Sequence, residues 1–244
     1  MKQSLFTVAY NRALADNVYK MVLSGDTSAI TAPGQFVNIR LDGLFLRRPI
    51  SVCDHDGNTL TIIYKVVGKG TEAMSEMAPG ARLDILTGLG NGYDLSPAGS
   101  SPVLLGGGVG VPPMYLLAKK LLAQGKAVSV VLGFNTKNEV FYEDEFKALG
   151  CQVQVTTVDG SYGKKGFVTD ALPQQYSYFY ACGPEPMLKA VCKATHTSGQ
   201  LSFEERMGFG FGACMGCSCK TITGYKRICK EGPVLQKEEI AWED

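Results

Sequence analysis

Val103-Leu104-Leu105-Gly106-Gly107-Gly108-Val109-Gly110-Val111-Pro112-Pro113 is where this chain changes its period. Three apolar residues read as a buried strand, and the glycines after them read as a tight turn. Residues 114–124 follow as an apolar-rich helix, whose first turn tolerates Pro112 or Pro113 because the missing N–H has no helical acceptor there. Further strands are expected at 127–133, 152–158 and 176–182, with helices at 140–149 and 187–196. Strands alternating with helices predict a doubly wound parallel α/β sheet over residues 100–200, with ligands bound outside the C-terminal strand ends. Gly106, Gly107, Gly108 and Gly110 then form a phosphate-cradling turn, although not the strict G-x-G-x-x-G fingerprint. Loop geometry alone is the plainer alternative. Cys182-Gly183-Pro184 closes the fourth strand, and Cys182 is either a small buried hydrophobe or a group facing a bound nucleotide.

Upstream the pattern is different. Short segments rich in β-branched and aromatic residues recur at 6–10, 18–23, 35–41, 50–53, 60–67 and 81–86, divided by Pro33-Gly34, Asp56-Gly57-Asn58 and Pro79-Gly80. Evenly spaced short strands predict a small antiparallel β-barrel over residues 1–99. One helical turn is expected at 71–77, with Thr71 as its cap and Glu72 favouring its N-terminus. Two pieces of this barrel carry chemistry. Arg47-Arg48-Pro49-Ile50-Ser51 offers guanidinium forks suited to pyrophosphate and a hydroxyl donor. Ile63-Tyr64-Lys65 leads through Gly68-Lys69-Gly70-Thr71 into a helix N-terminus, a backbone anion site. A solvated arginine pair and an ordinary strand–turn–helix are the bland readings.

Downstream, Gly208-Phe209-Gly210-Phe211-Gly212-Ala213-Cys214-Met215-Gly216-Cys217-Ser218-Cys219 precedes Cys229, so four of the eight cysteines fall within residues 214–229. Thiolates on a glycine-rich loop suit iron–sulfur or zinc ligation. A plant-type 2Fe–2S site reads C-x4-C-x2-C…C. Cys214, Cys217 and Cys229 fit three of those places, and Phe209 stands in the first. Composition narrows the class further. Hydrophobic residues make up 45% and charged residues 19%, with net charge +1. That balance carries no electrostatic footprint for nucleic acid. No apolar run approaches the roughly 20 residues that span a bilayer, and the polar start is no signal peptide. A cytoplasmic chain is expected, where clustered cysteines hold metals more often than disulfides.

The order barrel, RPIS, GKGT, GGGVGVPP, CGPEPM resembles the ferredoxin–NAD(P) reductase superfamily over about residues 1–200. The added EERMGFGFGACMGC loop and Tyr225-Lys-Arg-Ile-Cys-Lys-Glu-Gly-Pro-Val234 resemble one branch of it, the electron-transfer subunits of class 1B dihydroorotate dehydrogenases. The resemblance implies FAD in the barrel, NAD at the sheet, and a 2Fe–2S cluster in a domain spanning 201–244. Electrons would arrive from a separate FMN-containing catalytic subunit, in a heterotetramer that serves pyrimidine biosynthesis. By position, Arg48, Pro49, Ile50 and Ser51 match the flavin motif, and Ile63, Tyr64 and Lys65 match the strand lining the isoalloxazine. Gly70 and Thr71 match the flavin pyrophosphate turn. Gly106–Gly110 and Cys182-Gly183-Pro184 match the nicotinamide side. For the cluster, Cys214, Cys217 and Cys229 match ligands, and Phe209 occupies the place of the first.

Three readings of Phe209 stand open: Cys219 swings in as the fourth ligand, which is the preferred one; the cluster forms with a non-cysteine ligand or does not form at all; or four cysteines hold a structural zinc, which would carry no electron. NAD exchanges electron pairs and a cluster single electrons, so the flavin would be the converter between them. The loop 133–138 carries one lysine and no arginine, which favours NAD over NADP. The alternatives in function are a related subunit of a sulfide dehydrogenase, hydrogenase or ferredoxin:NADP oxidoreductase, and a flavin/zinc module without turnover. Phe209, Phe211 and Met215 are either a patch that docks the partner or local packing of the loop.

Overall fold

The computed structural model describes residues 1–242. Six antiparallel strands come first: β1 (Lys2–Ala15), β2 (Val18–Ser24), β3 (Phe36–Ile39), β4 (Arg48–Asp56), β5 (Thr59–Lys65) and β6 (Arg82–Leu89). They close into a barrel in the order β1-β2-β5-β4-β3-β6. All six expected strands are present. In β1, Phe6 and Val8 are buried between exposed Leu5, Thr7 and Ala9, the alternation that a half-solvated strand requires. Met21, Leu23, Ile39 and Leu60 meet Phe6 inside the barrel, each contributing about 1.5–3 kcal/mol by leaving water. β1 is longer than the expected 6–10 because register shifts at Val8/Tyr10 and Ala13/Ala15 bend it, letting it pair with both β2 and β6.

The helical turn after β5 starts earlier than its sequence suggests. It is α1 (Lys69–Ser75), with Gly68 as N-cap. Thr71 lies inside the first turn, where its Oγ1 accepts the N–H groups of Val67 (2.9 Å) and Gly68 (3.3 Å). It holds the turn from within rather than capping it.

Beyond residue 100 come β7 (Val103–Gly107), α2 (Val111–Ala123), β8 (Ser129–Phe134), α3 (Glu143–Ala148), β9 (Gln152–Thr157), β10 (Lys164–Lys165), β11 (Phe179–Cys182), α4 (Glu185–Ala194) and β12 (Gly199–Ser202). A hairpin, β13 (Ser218–Thr221) and β14 (Gly224–Arg227), precedes β15 (Val234–Gln236). The sheet order is β10-β9-β8-β7-β11-β12-β15, parallel except for the β12–β15 pair. Thus the segment after the cysteines returns to close one edge of the nucleotide-type sheet. α2 begins three residues before the expected 114, since both prolines fit its first turn. α3 begins after Tyr142, whose left-handed φ of 66° delays the helix past the expected 140. Barrel and sheet are locked by α2 against β4: Lys119 Nζ lies 2.8 Å from the Asp54 carboxylate, and Ile63 shares an apolar core with Val111 and Met114. Among the described residues no helix is long and apolar enough to cross a membrane.

Candidate functional site

Three candidate regions lie at the ends of these elements. The first is the switch point of the sheet, where β7 pairs with β8 on one side and β11 on the other. Ligands of such sheets bind in this crevice. Gly106 and Cys182 are register partners at the strand ends. A Cβ on Gly110 would stand 2.2 Å from the Cys182 carbonyl oxygen, and one on Gly107 would stand 2.4 Å from Met187 Sδ. Gly183 meets the same methionine, its Cβ position 2.6 Å from Cε. At Gly110 the obstacle is backbone, so only hydrogen fits and the two loops approach main chain to main chain there, whereas at Gly107 and Gly183 it is the flexible end of Met187. Gly108 turns the chain with φ +52°, and Pro184 is the N-cap of α4. Tyr93 donates to the Ala181 carbonyl at 3.0 Å and braces β11 from beneath. Burial pushes the Cys182 thiol up to about 12. That shift favours the neutral thiol over the thiolate.

The second region is the barrel strip facing α1. Arg48, Pro49, Ile50 and Ser51 are half-buried in succession, before fully buried Val52 and Cys53. A Cβ on Gly70 would stand 2.2 Å from Arg48 Nε, so the guanidinium lies directly across the first turn of α1. The leading N–H groups of that turn have no helical acceptors. Guanidinium and backbone N–H groups together fit a pyrophosphate. Arg47 does different work: it donates to the Asp84 carboxylate at 3.1 Å and to the Asn38 carbonyl at 3.3 Å. Two expected flavin-strand residues turn elsewhere. Tyr64 points into the barrel, stacked on Tyr19 and donating to Asn11 at 3.0 Å, and Ile63 is sealed against α2. Only their main chain can face a ligand. Lys65 reaches Glu139 at 3.5 Å, and the Gly108–Gly110 turn packs on β5. The strip and the switch point therefore adjoin.

The third region is the cysteine loop. Cys217 and Cys229 are buried, with their sulfurs 3.2 Å apart. Gly212 N–H donates to Cys229 Sγ at 3.2 Å and Cys229 N–H to Cys217 Sγ at 3.5 Å. Burial, then the neighbouring Cys217 thiol, pushes the Cys229 thiol above its ordinary value. Cys214 packs on the same loop, its sulfur 3.5 Å from a Cβ position on Gly208. Arg227 Nη1 donates to the Gly212 carbonyl at 2.7 Å and is itself gripped by Glu231. Three thiols with N–H groups aimed at two of them fit a thiolate-bound cluster.

The fourth place is different. Phe209 is 48% exposed, its ring 6.0 Å from that of Phe211. Cys219, the expected substitute, lies in β13 with its thiol on the Lys220 carbonyl at 3.7 Å, and the structure does not bring it to the other three. Glu205 and Glu185 are the charges that face it. Among the described residues no three Cys, His, Asp or Glu side chains are close enough together to hold a metal ion, so zinc and a cluster stand alike on the chemistry of the donors.

Two residues escaped the sequence reading. Asn38, 1% exposed, donates from Nδ2 to the Phe209 carbonyl at 2.9 Å, while its Oδ1 is buried without a partner. An isolated amide in the apolar run Phe36-Val37-Asn38-Ile39 was the available signal. Asn91 donates to the Val234 carbonyl at 2.7 Å and accepts from its N–H at 3.1 Å, pinning β15 to the barrel side.

Comparison with known proteins adds to this geometry. Residues 204–241 match the model for the iron–sulfur cluster binding domain of dihydroorotate dehydrogenase B. Residues 104–193 match the oxidoreductase NAD-binding domain. The dihydroorotate dehydrogenase B (NAD(+)) electron transfer subunit of Geobacillus sp. (strain WCH70) is 45% identical over 98% of this chain and 99% of its own. That of Fusobacterium nucleatum is 44% identical over 98% and 99%. Among solved structures, a chain of the NADH-dependent reduced ferredoxin-NADP oxidoreductase superposes with TM-score 0.89 at 31% identity, over 97% of this chain and 90% of that one. Phthalate dioxygenase reductase, at TM-score 0.66 and 19% identity over 78% of this chain and 63% of that one, shares the fold.

Proposed function

We propose a function from one premise: the chain belongs to the family of dihydroorotate dehydrogenase B electron transfer subunits. It is an NAD-linked oxidoreductase subunit whose cofactors are FAD, a 2Fe–2S cluster and NAD. When bound, the flavin supplies the exchange between hydride and single-electron chemistry that neither NAD nor a cluster performs alone.

This chain's residues do the holding. Arg48 and the first turn of α1 would hold the flavin pyrophosphate, and Pro49, Ile50 and Ser51 would help hold the rest of the flavin. Gly106, Gly107, Gly108 and Gly110 let the nicotinamide nucleotide lie against bare backbone, and neutral Cys182 with Gly183 and Pro184 walls the ring. Lys65, tied to Glu139, places a positive charge where strip and crevice adjoin. Cys214, Cys217 and Cys229 hold the cluster. The division into 1–99, 100–200 and 201–244 follows these three tasks.

One observation carries the reading: the cysteine loop is bonded to the barrel strand opposite the flavin strip. Asn38 of β3 holds the Phe209 carbonyl at 2.9 Å and is the register partner of Pro49 in β4. That contact supports a short path between flavin and cluster. The partner is the dihydroorotate dehydrogenase catalytic subunit, which we read as FMN-containing and joined in a heterotetramer in the cytoplasm. Phe209, Phe211 and Met215, exposed by 48%, 42% and 60%, are the docking patch. Co-expression with that subunit should give a stable complex that oxidises dihydroorotate with NAD, and Met215→Asp should abolish the complex while leaving NADH-to-dye activity. The likeness to the ferredoxin-NADP oxidoreductase chain supports a second reading. Faster flavin reduction by NADPH than by NADH, with no complex formed, would favour it.

A further inference from the structure

We propose that the two irons in this chain are held unequally. Cys217 and Cys229 share one iron, Cys214 holds the other, and a solvent oxygen takes the fourth position, at the place of Phe209. This rests on the reading that the loop carries a 2Fe–2S cluster. A two-iron cluster takes its terminal ligands in pairs, one pair on each iron. Cys217 and Cys229, 3.2 Å apart, are the pair in contact. Cys214 is left to the second iron, and the C-x4-C-x2-C spacing puts Phe209, a hydrocarbon, in its partner's place.

Among the described residues no other donor is joined to the three sulfurs at that place. Cys219 is fixed by the hairpin register, opposite Lys226 and between the Ser218–Arg227 and Lys220–Tyr225 pairs. Its thiol rests on the Lys220 carbonyl at 3.7 Å. Glu231 is held by Arg227, whose Nε donates to it at 3.0 Å. The loop meanwhile keeps its shape without a metal bond at residue 209. Asn38 holds the Phe209 carbonyl, Gly210 and Gly212 turn the chain with φ of +80° and +86°, and Arg227 holds the Gly212 carbonyl. With Phe209 half exposed, water reaches this side of the loop.

The test uses the full chain, reconstituted anaerobically with FAD, iron and sulfide, as wild type, Cys219→Ser and Phe209→Cys. Iron, sulfide and flavin are assayed, and the reduced cluster is examined by electron paramagnetic resonance in ordinary and ¹⁷O-enriched water. Flavin content and NADH-to-dye activity report that each variant is folded. We expect Cys219→Ser to keep the iron and the spectrum of wild type. Wild-type signals should broaden in ¹⁷O water. Phe209→Cys should abolish the broadening and slow iron loss to a chelator by roughly tenfold or more, the scale of changes around a metal's ligand shell. Loss of iron in Cys219→Ser, or a wild-type signal indifferent to ¹⁷O water, would overturn the proposal. Iron in Phe209→Cys but none in wild type would overturn it too, while sparing the cluster reading. Iron in neither would sink the cluster reading itself.

Discussion

The switch-point crevice and the cysteine loop are built from opposite materials. The crevice is backbone at its centre: Gly110 sits so close to the Cys182 carbonyl that no Cβ fits, while Gly107 and Gly183 pack on the flexible end of Met187. The loop is side chain: its chemistry is a few sulfurs, steadied by Asn38 and Arg227. A backbone site is indifferent to most nearby side chains but intolerant of any added atom at its glycines. A ligand site tolerates reshaping around it yet changes character when one donor becomes a hydrocarbon. On the proposed reading, Phe209 stands at such a place.

The sharpest way to break this contrast is to remove a sulfur from the contacting pair. Cys217→Ala or Cys229→Ala should lower iron and sulfide to background while flavin content and NADH-to-dye activity persist. Loss of flavin as well would mean the loop and the barrel are one cooperative unit. Next comes the crevice. Gly110→Val forces side-chain atoms into the Cys182 carbonyl; flavin reduction by NADH in stopped flow should fall about 10²-fold. Strain of about 1–3 kcal/mol should appear in denaturant unfolding, with iron content unchanged. Near-normal hydride transfer would show that the two loops can part.

Smaller effects sharpen the comparison at its joint. Asn38→Ala leaves the Phe209 carbonyl without its donor and should cost about 1–3 kcal/mol. The same variant should hasten iron release and leave the NADH-to-dye rate alone; an unchanged release rate would detach the loop's order from the barrel.

The smallest effect concerns Cys182. Its thiol is raised from 9.0 to about 12, so the folded chain keeps a proton that the unfolded chain gives up near 9. Its contribution to stability is complete below about 9 and is lost as pH rises from there towards 12. Iodoacetamide labelling of Cys182, followed by peptide mass spectrometry, should stay slow across neutral pH, and the rate profile should lack a thiol inflection there. Fast labelling at neutral pH would replace the neutral wall with a reactive thiolate.

Much of the fold was legible because it is written locally. Alternation such as Leu5-Phe6-Thr7-Val8 marks a barrel strand, and Val103-Leu104-Leu105 before glycines marks a buried parallel one. The site was legible as motifs but not as orientations. Tyr64 is expected from the family resemblance on a strand lining the flavin and yet points into the barrel, because neighbouring residues of a strand face opposite sides and closure decides which side is inside. Helix starts slipped at Lys69, Val111 and Glu143 because caps depend on backbone angles, as at Tyr142, which residue type announces weakly.

The sequence by itself determined the barrel, the parallel sheet, the glycine turns and a phenylalanine at residue 209, five before Cys214. Each is a matter of period, spacing or residue identity. Only the tertiary structure decided that Cys217 and Cys229 meet while Cys219 stays in its hairpin, that β15 returns to the sheet edge, and that Asn38 binds the loop 171 residues away. Those are contacts between distant segments, and the free energy of closing them depends on the packing of the whole chain rather than on any local pattern.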